Sequence, residues 1–411
     1  MTSDTAAALA LLSAEAVRER AQRMLALGLD GKLPHFRVDL GRFDAAVELV
    51  VALTRLRYPS LEMPFHSRWR HFILDGDNRW AAIRQSGSWR DDAALARAAF
   101  DLAIVSVLLD AGAGAHWQYR DPPTGKHIGR SEGLGLASLA MFADGGFSSD
   151  PKNPLQADAQ RLVRLSQADI GNAFQVSPSN PLVGIAGRAD LLNRLGALVE
   201  SKPEVFARSG VARPGGFFDH LAALATEPRI SAPTVLAELL RQFGPIWPSR
   251  LALGGVPLGD CWRHPAIAAP DATHGLVPLH KLSQWLAYSL IEPLQWAGLT
   301  VTDIDGLTGL AEYRNGGLFI DTGVLAFRDP ADAARDHDAA AALVVEWRAL
   351  TVALLDRLAE AMRRRLGLDA RSLPLAKVLE GGTWEAGRVI ARKLRPDGSP
   401  PVKVISDGTV F

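Results

Sequence analysis

The chain has 411 residues, of which 48% are hydrophobic, and 45 Lys plus Arg balance 45 Asp plus Glu, so the formal net charge is +0. This composition is typical of a globular protein and excludes a mostly disordered or collagen-like chain. Because there is no basic excess, we expect no nucleic-acid partner.

Helical spacing of apolar residues dominates the chain. In chain order, the predicted helices cover residues 6–27, 42–56, 91–109, 155–170, 188–199, 233–243, 277–296 and 339–366. Short strands are predicted at 36–40 and 402–405. The sequence therefore predicts a mainly α, multi-helix globular protein with minor β pieces.

The clearest helix is 339–366, where one apolar face repeats every three or four residues. That face consists of Leu343, Trp347, Leu350, Leu354, Leu358 and Met362. We expect Asp338 to cap the start of this helix and Gly367 to end it.

Residues 244–278 contain six prolines and five glycines with little periodicity. Loops this long are uncommon unless they help to build a site. We place a soft boundary here, between an N-terminal helical region (1–243) and a C-terminal helical region (244–411) that carries the candidate site. A single compact unit is the alternative.

The single cysteine and the N-terminus indicate the compartment. One cysteine, Cys261, excludes an intrachain disulfide framework and a multi-thiolate metal centre. Residues 1–4 (MTSD) carry an acid where a signal peptide needs basic residues, and the longest strongly apolar run, 102–109, is too short to cross a bilayer. We predict a soluble cytoplasmic protein with no membrane partner.

Motifs for phosphate loops, dinucleotide binding and zinc proteases are absent from the sequence. Three histidines, His264, His274 and His280, lie in one region and could in principle bind zinc. Their spacing is irregular, so we predict no metal site and no cofactor.

The helix predicted at 277–296 carries Lys281, Gln284, Tyr288 and Glu292 on one stripe, opposite a leucine face. Two interpretations stay open. The stripe is a solvated face, or Lys281 reaches an anionic ligand group that Gln284 and Tyr288 orient. Pro293 is expected to kink or end this helix.

Residues 303–317 (DIDGLTGLAEYRNGG) and Asp321 place four carboxylates, an arginine and a tyrosine among glycine turns. Glu312 follows apolar residues, so we expect it to be partly buried with a raised pKa. The alternative is a helix end capped near Asn315, with Glu312 in an ion pair.

Residues 130–134 (RSEGL) follow a Pro/Gly turn and open a predicted helix. An anion could meet free backbone N–H groups there. Arg130 and Glu132 are therefore candidate substrate-binding residues, with a structural ion pair as the alternative.

Five motifs in fixed order resemble the uracil catabolism protein four family. They are 130–134 (RSEGL), 180–184 (NPLVG), 280–290 (HKLSQWLAYSL), 311–317 (AEYRNGG) and 406–411 (SDGTVF). The resemblance covers nearly the whole chain and implies a place in a pathway that converts uracil to a nucleotide, opens the ring and eventually frees urea. It also implies a nucleotide-like small-molecule substrate, enzymes of the pathway as partners, and an ordered C-terminal tail with Phe411 packed on the body.

A second set of motif residues consists of Lys281, Gln284 and the later segment 311–314 (AEYR). This set resembles a motif of the queuosine-5′-phosphate N-glycohydrolase family, which is mainly α-helical and resembles DNA glycosylases. That family has a lysine and a glutamine on a corresponding helix, followed by alanine-aspartate-tyrosine-arginine. Its aspartate is the expected catalytic carboxylate, and Glu312, one methylene longer, holds that position here. The resemblance implies a fold like that of helical N-glycosylases.

Together, the resemblances predict an N-ribosidase acting on a ring-opened uracil nucleotide of the ribosylurea type. Glu312 would stabilise an oxocarbenium-like state and activate water, with Asp305 or Asp321 as a supporting acid. The predicted ligand contacts are Lys281 and Arg314 for the phosphate, and Tyr313 and Trp285 for the sugar or ureide.

Two alternatives stay open. One is a hydrolase of the ureide amide bond that uses a metal ion bound by the three histidines. Zinc bound in stoichiometric amount would support this alternative. The other is a non-catalytic binding or scaffold protein that passes an unstable intermediate to a pathway enzyme. Tight ligand binding without turnover would support this alternative.

Overall fold

The computed structural model describes residues 2–114, 116–247 and 251–405. Its helices are α1 (Ser3–Leu11), α2 (Ala14–Leu29), α3 (Phe43–Arg57), α4 (Arg79–Ser86), α5 (Asp92–Leu108), α6 (Arg130–Ala143), α7 (Ala159–Leu162), α8 (Gln167–Ala173), α9 (Ile185–Ser201), α10 (Pro203–Phe206), α11 (Phe217–Leu224), α12 (Ala232–Phe243), α13 (Lys281–Trp296), α14 (Tyr313–Asp321), α15 (Ala342–Leu366), α16 (Leu375–Val378) and α17 (Trp384–Leu394). A π-helical turn, Leu379–Thr383, joins α16 to α17. The prediction of a mainly α protein is confirmed.

The strands are short. They are β1 (Phe36–Val38), β2 (Ile73–Leu74), β3 (Asp77–Asn78), β4 (Gln118–Arg120), β5 (His127–Gly129), β6 (Ala207–Arg208), β7 (Val211–Ala212), β8 (Arg229–Ser231), β9 (Ala252–Leu253), β10 (Val256–Pro257), β11 (Cys261–Arg263), β12 (Leu276–Pro278), β13 (Thr300–Thr302), β14 (Leu325–Phe327), β15 (Asp336–Asp338) and β16 (Lys403–Ile405). Antiparallel pairs are β1–β14, β2–β3, β4–β5, β6–β7, β9–β10 and β11–β12, while β8–β13 and β15–β16 are parallel. Each sheet in the described ranges has two strands, so the helices build the core.

The described residues form two compact units. Unit 1 takes 2–66, 251–284 and 303–405, and unit 2 takes 67–114, 116–247 and 285–302. The units do not follow one cut near residue 244, because segments from both sides of that position belong to unit 1. The division falls within α13, after Gln284.

Helix α15 is the centre of unit 1, where α2, α3 and α14 pack against it. All six residues of its predicted apolar face are buried, as expected. Gly367 ends the helix with φ +68°, a conformation that glycine adopts readily. Asp338 does not cap the helix, which begins at Ala342. That prediction was wrong because Asp338 pairs with Ile405 in the β15–β16 sheet.

Helix α5 is the centre of unit 2 and is buried on nearly all sides from Leu95 to Leu108. Helices α6, α9 and α11 pack against it. It lies within one residue of its predicted bounds at each end. Asp91 caps it by accepting a hydrogen bond from the Ala94 N–H at 2.7 Å.

Serine caps explain two predicted helices that the structure divides. Residues 6–27 form α1 and α2, because Ser13 accepts a hydrogen bond from the Ala16 N–H and starts a new helix. Ser166 forms a capping box with Asp169 and starts α8, so residues 155–170 are not one helix.

No helix within the described ranges combines the length and apolarity that a transmembrane span requires. The predicted packing of the C-terminal tail concerns residues 406–411, which lie outside the described residues.

Candidate functional site

Helix α13 begins at Lys281 because Asp260 caps it from outside the helix. The Asp260 carboxylate accepts the Lys281 N–H at 2.9 Å, and its carbonyl accepts the N–H groups of Leu279 and His280. His280 has φ +47°, which is unfavourable for a residue other than glycine. These hydrogen bonds hold the strained turn and fix Lys281 as the first residue of the helix.

Asp260 is also paired with Arg348, which reaches the chain just before Glu312. Two guanidinium nitrogens of Arg348 lie 2.8 Å from the Asp260 carboxylate oxygens, and its Nε donates to the Ala311 carbonyl at 3.1 Å. Burial favours protonation of Asp260, but the Arg348 charge and hydrogen bonds outweigh it and hold the pKa of Asp260 well below its usual range. Arg348 thus connects the start of α13 to the backbone that precedes Glu312.

Glu312 is the N-cap of α14. Its Oε2 accepts the Arg314 N–H at 2.7 Å, and its Oε1 accepts the Asn315 N–H at 2.6 Å. A negative charge is favourable at a helix N-terminus. The predicted helix end near Asn315 is therefore wrong, since a helix starts there.

Glu312 is buried, with only 8% of its surface exposed to solvent. Burial raises the pKa of Glu312, and the two backbone hydrogen bonds and the charges of Lys281 and Arg314 offset only part of this rise. The predicted burial and raised pKa are confirmed. A carboxylate offers about four lone-pair sites, and the two N–H donors occupy two of them.

Gln284 connects the first turn of α13 by hydrogen bonds to the segment that precedes Glu312. Its Oε1 accepts the Thr308 N–H at 3.0 Å, and its amide nitrogen donates to the Thr308 hydroxyl. Gln284 and Tyr288 are both 0% exposed, so the interpretation of this stripe as a solvated face is wrong. Helix α13 also continues through Pro293 to Trp296.

Tyr313 and Arg314 follow Glu312 in the first turn of α14. The Arg314 guanidinium lies 4.7 Å from the centre of the Tyr313 ring, and its Nη1 donates to the Gly398 carbonyl at 3.1 Å. The buried Nε of Arg314 has no hydrogen-bond partner among the described residues. We call Lys281, Gln284, Glu312, Tyr313 and Arg314, all in unit 1, the Glu312 region.

The two predicted supporting acids each have an arginine partner. Asp305 accepts two hydrogen bonds from Arg363, at 2.9 and 2.7 Å. Asp321 accepts two from Arg395, at 2.8 and 2.6 Å. Both aspartates thus have a structural role, and a catalytic role for either stays a prediction.

Trp285 lies in unit 2, beside the buried Arg68. The Arg68 guanidinium lies 5.4 Å from the centre of the Trp285 ring, and the His71 ring lies 5.5 Å from it. Arg68 is 0% exposed and donates to Asp110 at 2.6 Å and to the Ser131 carbonyl at 3.2 Å. We call Arg68, His71, Asp110, Ser131 and Trp285 the Arg68 cluster.

Arg130 and Glu132 flank Ser131 at the start of α6. The Ser131 hydroxyl donates to Asp110 at 2.9 Å, so this helix start belongs to the cluster. Burial lowers the pKa of Arg68, and the charges of Asp110 and Glu132 partly restore it. Arg130 itself is exposed. Glu132 and Trp285 thus both act on Arg68, and their ligand-binding roles stay predictions.

The three histidines considered for zinc have separate partners. The fully buried His264 lies 3.2 Å from Glu346, His280 contacts the Leu11 carbonyl at 3.0 Å, and His274 contacts the Ala269 carbonyl at 3.1 Å. Within the part of the chain that the structure describes, no three His, Cys, Asp or Glu side chains form a group that could hold a metal ion.

Fold and site thus define a mainly α-helical protein with a buried glutamate held at a helix N-terminus. A family model described as "Protein of unknown function (DUF1688)" matches residues 10–411, and the chain belongs to this family. It is 37% identical over 422 aligned residues, 100% of both chains, to "Protein urg3" of Schizosaccharomyces pombe. It is 36% identical over 417 aligned residues, 93% of each chain, to "Uracil catabolism protein 4" of Lachancea kluyveri. The predicted family membership is confirmed.

Proposed function

We propose that this protein acts in uracil catabolism, as the name of its whole-chain relative from Lachancea kluyveri supports. We further propose that it hydrolyses the N-glycosidic bond of a ring-opened uracil nucleotide of the ribosylurea type, releasing urea or a ureide. The observation that carries this reaction is Glu312, a buried carboxylate bonded to backbone N–H groups and in no ion pair within the described residues.

Glu312 has the properties that cleavage of a C–N bond at an anomeric carbon requires. Positive charge develops on the sugar in the transition state, and a carboxylate in a buried, low-dielectric site stabilises it strongly. The raised pKa of Glu312 also makes this carboxylate a better proton acceptor than an ordinary glutamate. Its remaining lone pairs are available for the attacking water.

The reaction balances without another reagent. The water oxygen bonds to the anomeric carbon as the bond from that carbon to nitrogen breaks. One water proton passes to Glu312 and from there, through solvent, to the leaving nitrogen, while the other proton stays on the new sugar hydroxyl. The products are the sugar phosphate and urea or a ureide, and Glu312 is ionised again.

The cations of the Glu312 region suit the phosphate. The charges of Lys281 and Arg314 both act on the Glu312 carboxylate, which supports the assignment of these two cations to a phosphate bound near it. Lysine binds phosphate as a point charge, and the Nε of Arg314 is a buried donor without a described partner. Tyr313 would flank the sugar, while Gln284 would position Glu312 through Thr308.

The test uses the purified full chain with ribosylurea 5′-phosphate, without added metal. We expect the wild type to release urea. Glu312→Gln keeps the size of the side chain but removes its charge, so turnover should fall roughly a hundredfold or more. Substrate binding should remain, because Lys281 and Arg314 are unchanged.

Asp91→Asn is the matched control, because it removes a carboxylate from another helix N-cap. This variant should keep full turnover. Equal turnover in the wild type and Glu312→Gln would exclude Glu312 from the chemistry. Binding without turnover in the wild type would instead support a scaffold, and metal-dependent release of ammonia would support an amidohydrolase.

A further inference from the structure

We propose a second ligand site in unit 2, in a cavity of about 590 Å³ that binds the phosphate of a small molecule of nucleotide size. One face of α5 forms its floor, and three loops form its walls, so we call it the α5 cavity. None of its lining residues belongs to the Glu312 region, and the proposal does not depend on the proposed reaction.

The floor is formed by three residues on successive turns of α5, of which two are alanines. Ala94, Arg97 and Ala98 are spaced i, i+3 and i+4, so they lie on one side of the helix. The walls come from residues 86–90, 152–156 and 208–213. The alanines leave the space open, and its volume lies within the range of about 300–1,000 Å³ that is usual for small-molecule sites.

Asp101, one turn further along α5, holds two of the walls in place. It is 0% exposed and accepts the Ala157 N–H at 3.0 Å and the Gly215 N–H at 2.5 Å. It also accepts hydrogen bonds from Arg213. Because one buried carboxylate fixes both loops and a lining arginine, the cavity is built before any ligand arrives.

The lining is cationic. It contains Arg90, Arg97, Lys152, Arg208 and Arg213 and no carboxylate. All four lining arginines are paired with aspartates outside the lining, and the Nε of Arg90 donates to Asp91 at 3.0 Å while the Nε of Arg208 lies 3.3 Å from Asp219. Arg97 donates through Nε and Nη2 to Asp219 at 2.8 and 2.7 Å, and Arg213 donates through the same atoms to Asp101. The hydrogen bonds described for both arginines therefore leave Nη1 for an anion. The five cations of the lining outnumber the three aspartates that pair with them, so the local charge stays positive and favours a phosphate.

Trp89 adds a fixed aromatic ring to the lining. Its indole N–H donates to the Arg84 carbonyl at 2.8 Å, and its ring packs directly against Gly87. Stacking of a base on an aromatic ring contributes about 1–3 kcal/mol. A phosphate beside a planar base therefore fits this lining better than a bare phosphate.

The experiment measures binding to the full chain by calorimetry, with UMP, ribose 5-phosphate, inorganic phosphate and uridine as probes. We expect UMP to bind saturably and more weakly as salt increases. The double variant Arg90→Gln/Lys152→Gln changes two exposed side chains, so folding should be kept, and affinity should fall roughly tenfold or more. Trp89→Leu should weaken UMP more than ribose 5-phosphate.

The matched control is Lys126→Gln/Arg164→Gln, which removes two exposed cations of unit 2 that do not line the cavity. It should bind UMP as the wild type does, and an equal loss in the control would mean non-specific attraction. Uridine binding as tightly as UMP, or no saturable binding of any phosphate, would overturn the site. So would a loss of UMP binding in Lys281→Gln alone, because the ligand would then occupy the Glu312 region.

Discussion

The Glu312 region and the Arg68 cluster both bury charge, but they stabilise it differently. In the Glu312 region, the carboxylate is held by the backbone N–H groups of Arg314 and Asn315, and the side-chain charges of Lys281 and Arg314 also act on it. In the Arg68 cluster, the guanidinium is bonded directly to the Asp110 carboxylate. A buried charge held by neutral donors has a shifted proton affinity and can act in chemistry, whereas a bonded pair mainly supports the fold.

Arg68→Met should have the largest effect, on stability. It leaves the buried Asp110 without its guanidinium partner, and breaking a buried pair costs about 3–5 kcal/mol. Chemical denaturation would measure the loss. Arg164→Met, at an exposed position, is the control and should change the free energy of unfolding little. An Arg68→Met variant as stable as the wild type would contradict the claim that the Arg68–Asp110 pair mainly supports the fold.

Gln284→Leu should have an intermediate effect, since the buried Thr308 N–H loses its acceptor. Leaving such a group unsatisfied costs about 1–3 kcal/mol. The folded fraction should also turn over more slowly, because the segment before Glu312 loses its connection to α13. Reduced stability with wild-type turnover per folded molecule would show that Gln284 does not position Glu312.

Lys281→Gln should raise KM for the phosphorylated substrate roughly tenfold, as the loss of one partly exposed phosphate contact would. KM for the corresponding nucleoside, which has no phosphate, should change little. Steady-state kinetics on both substrates tests this. Equal effects on the KM values of both substrates would contradict a contact between Lys281 and the phosphate.

The smallest predicted effect is on the pH profile. Glu312 must be ionised to act, so kcat should fall as pH decreases through its pKa, which burial has raised above the usual glutamate value. Lys281 lowers this pKa, so Lys281→Gln should move the acid limb to higher pH. A shift to lower pH, or none, would contradict the electrostatic connection between the two side chains.

Local patterns in the sequence predicted the helices that have clear periodicity and ends. Helix α15 kept its six-residue apolar face and its Gly367 end, and the apolar residues before Glu312 predicted its burial. Failures arose where distant residues decide the local structure. Asp260 caps α13 from another segment, and β15–β16 pairing removes Asp338 from its predicted cap.

The same limit explains why the sequence did not predict the partners of Arg68 or the lining of the α5 cavity. Arg68 and Asp110 are 42 residues apart and meet only through packing. The cationic lining of the α5 cavity comes from four separate segments, so no local motif indicates it. Glu312 could be selected from the sequence because the resemblance of 311–314 (AEYR) is a local motif that contains it.

The identity of the bond that breaks tests the central claim most directly. The wild-type chain would be incubated with ribosylurea 5′-phosphate carrying ¹³C in its carbonyl group, and the labelled product would be identified by NMR. Cleavage of the N-glycosidic bond predicts labelled urea, formed in equal amount with ribose 5-phosphate and much more slowly in Glu312→Gln. Labelled carbonate with free ammonia, or no labelled product at all, would contradict the account.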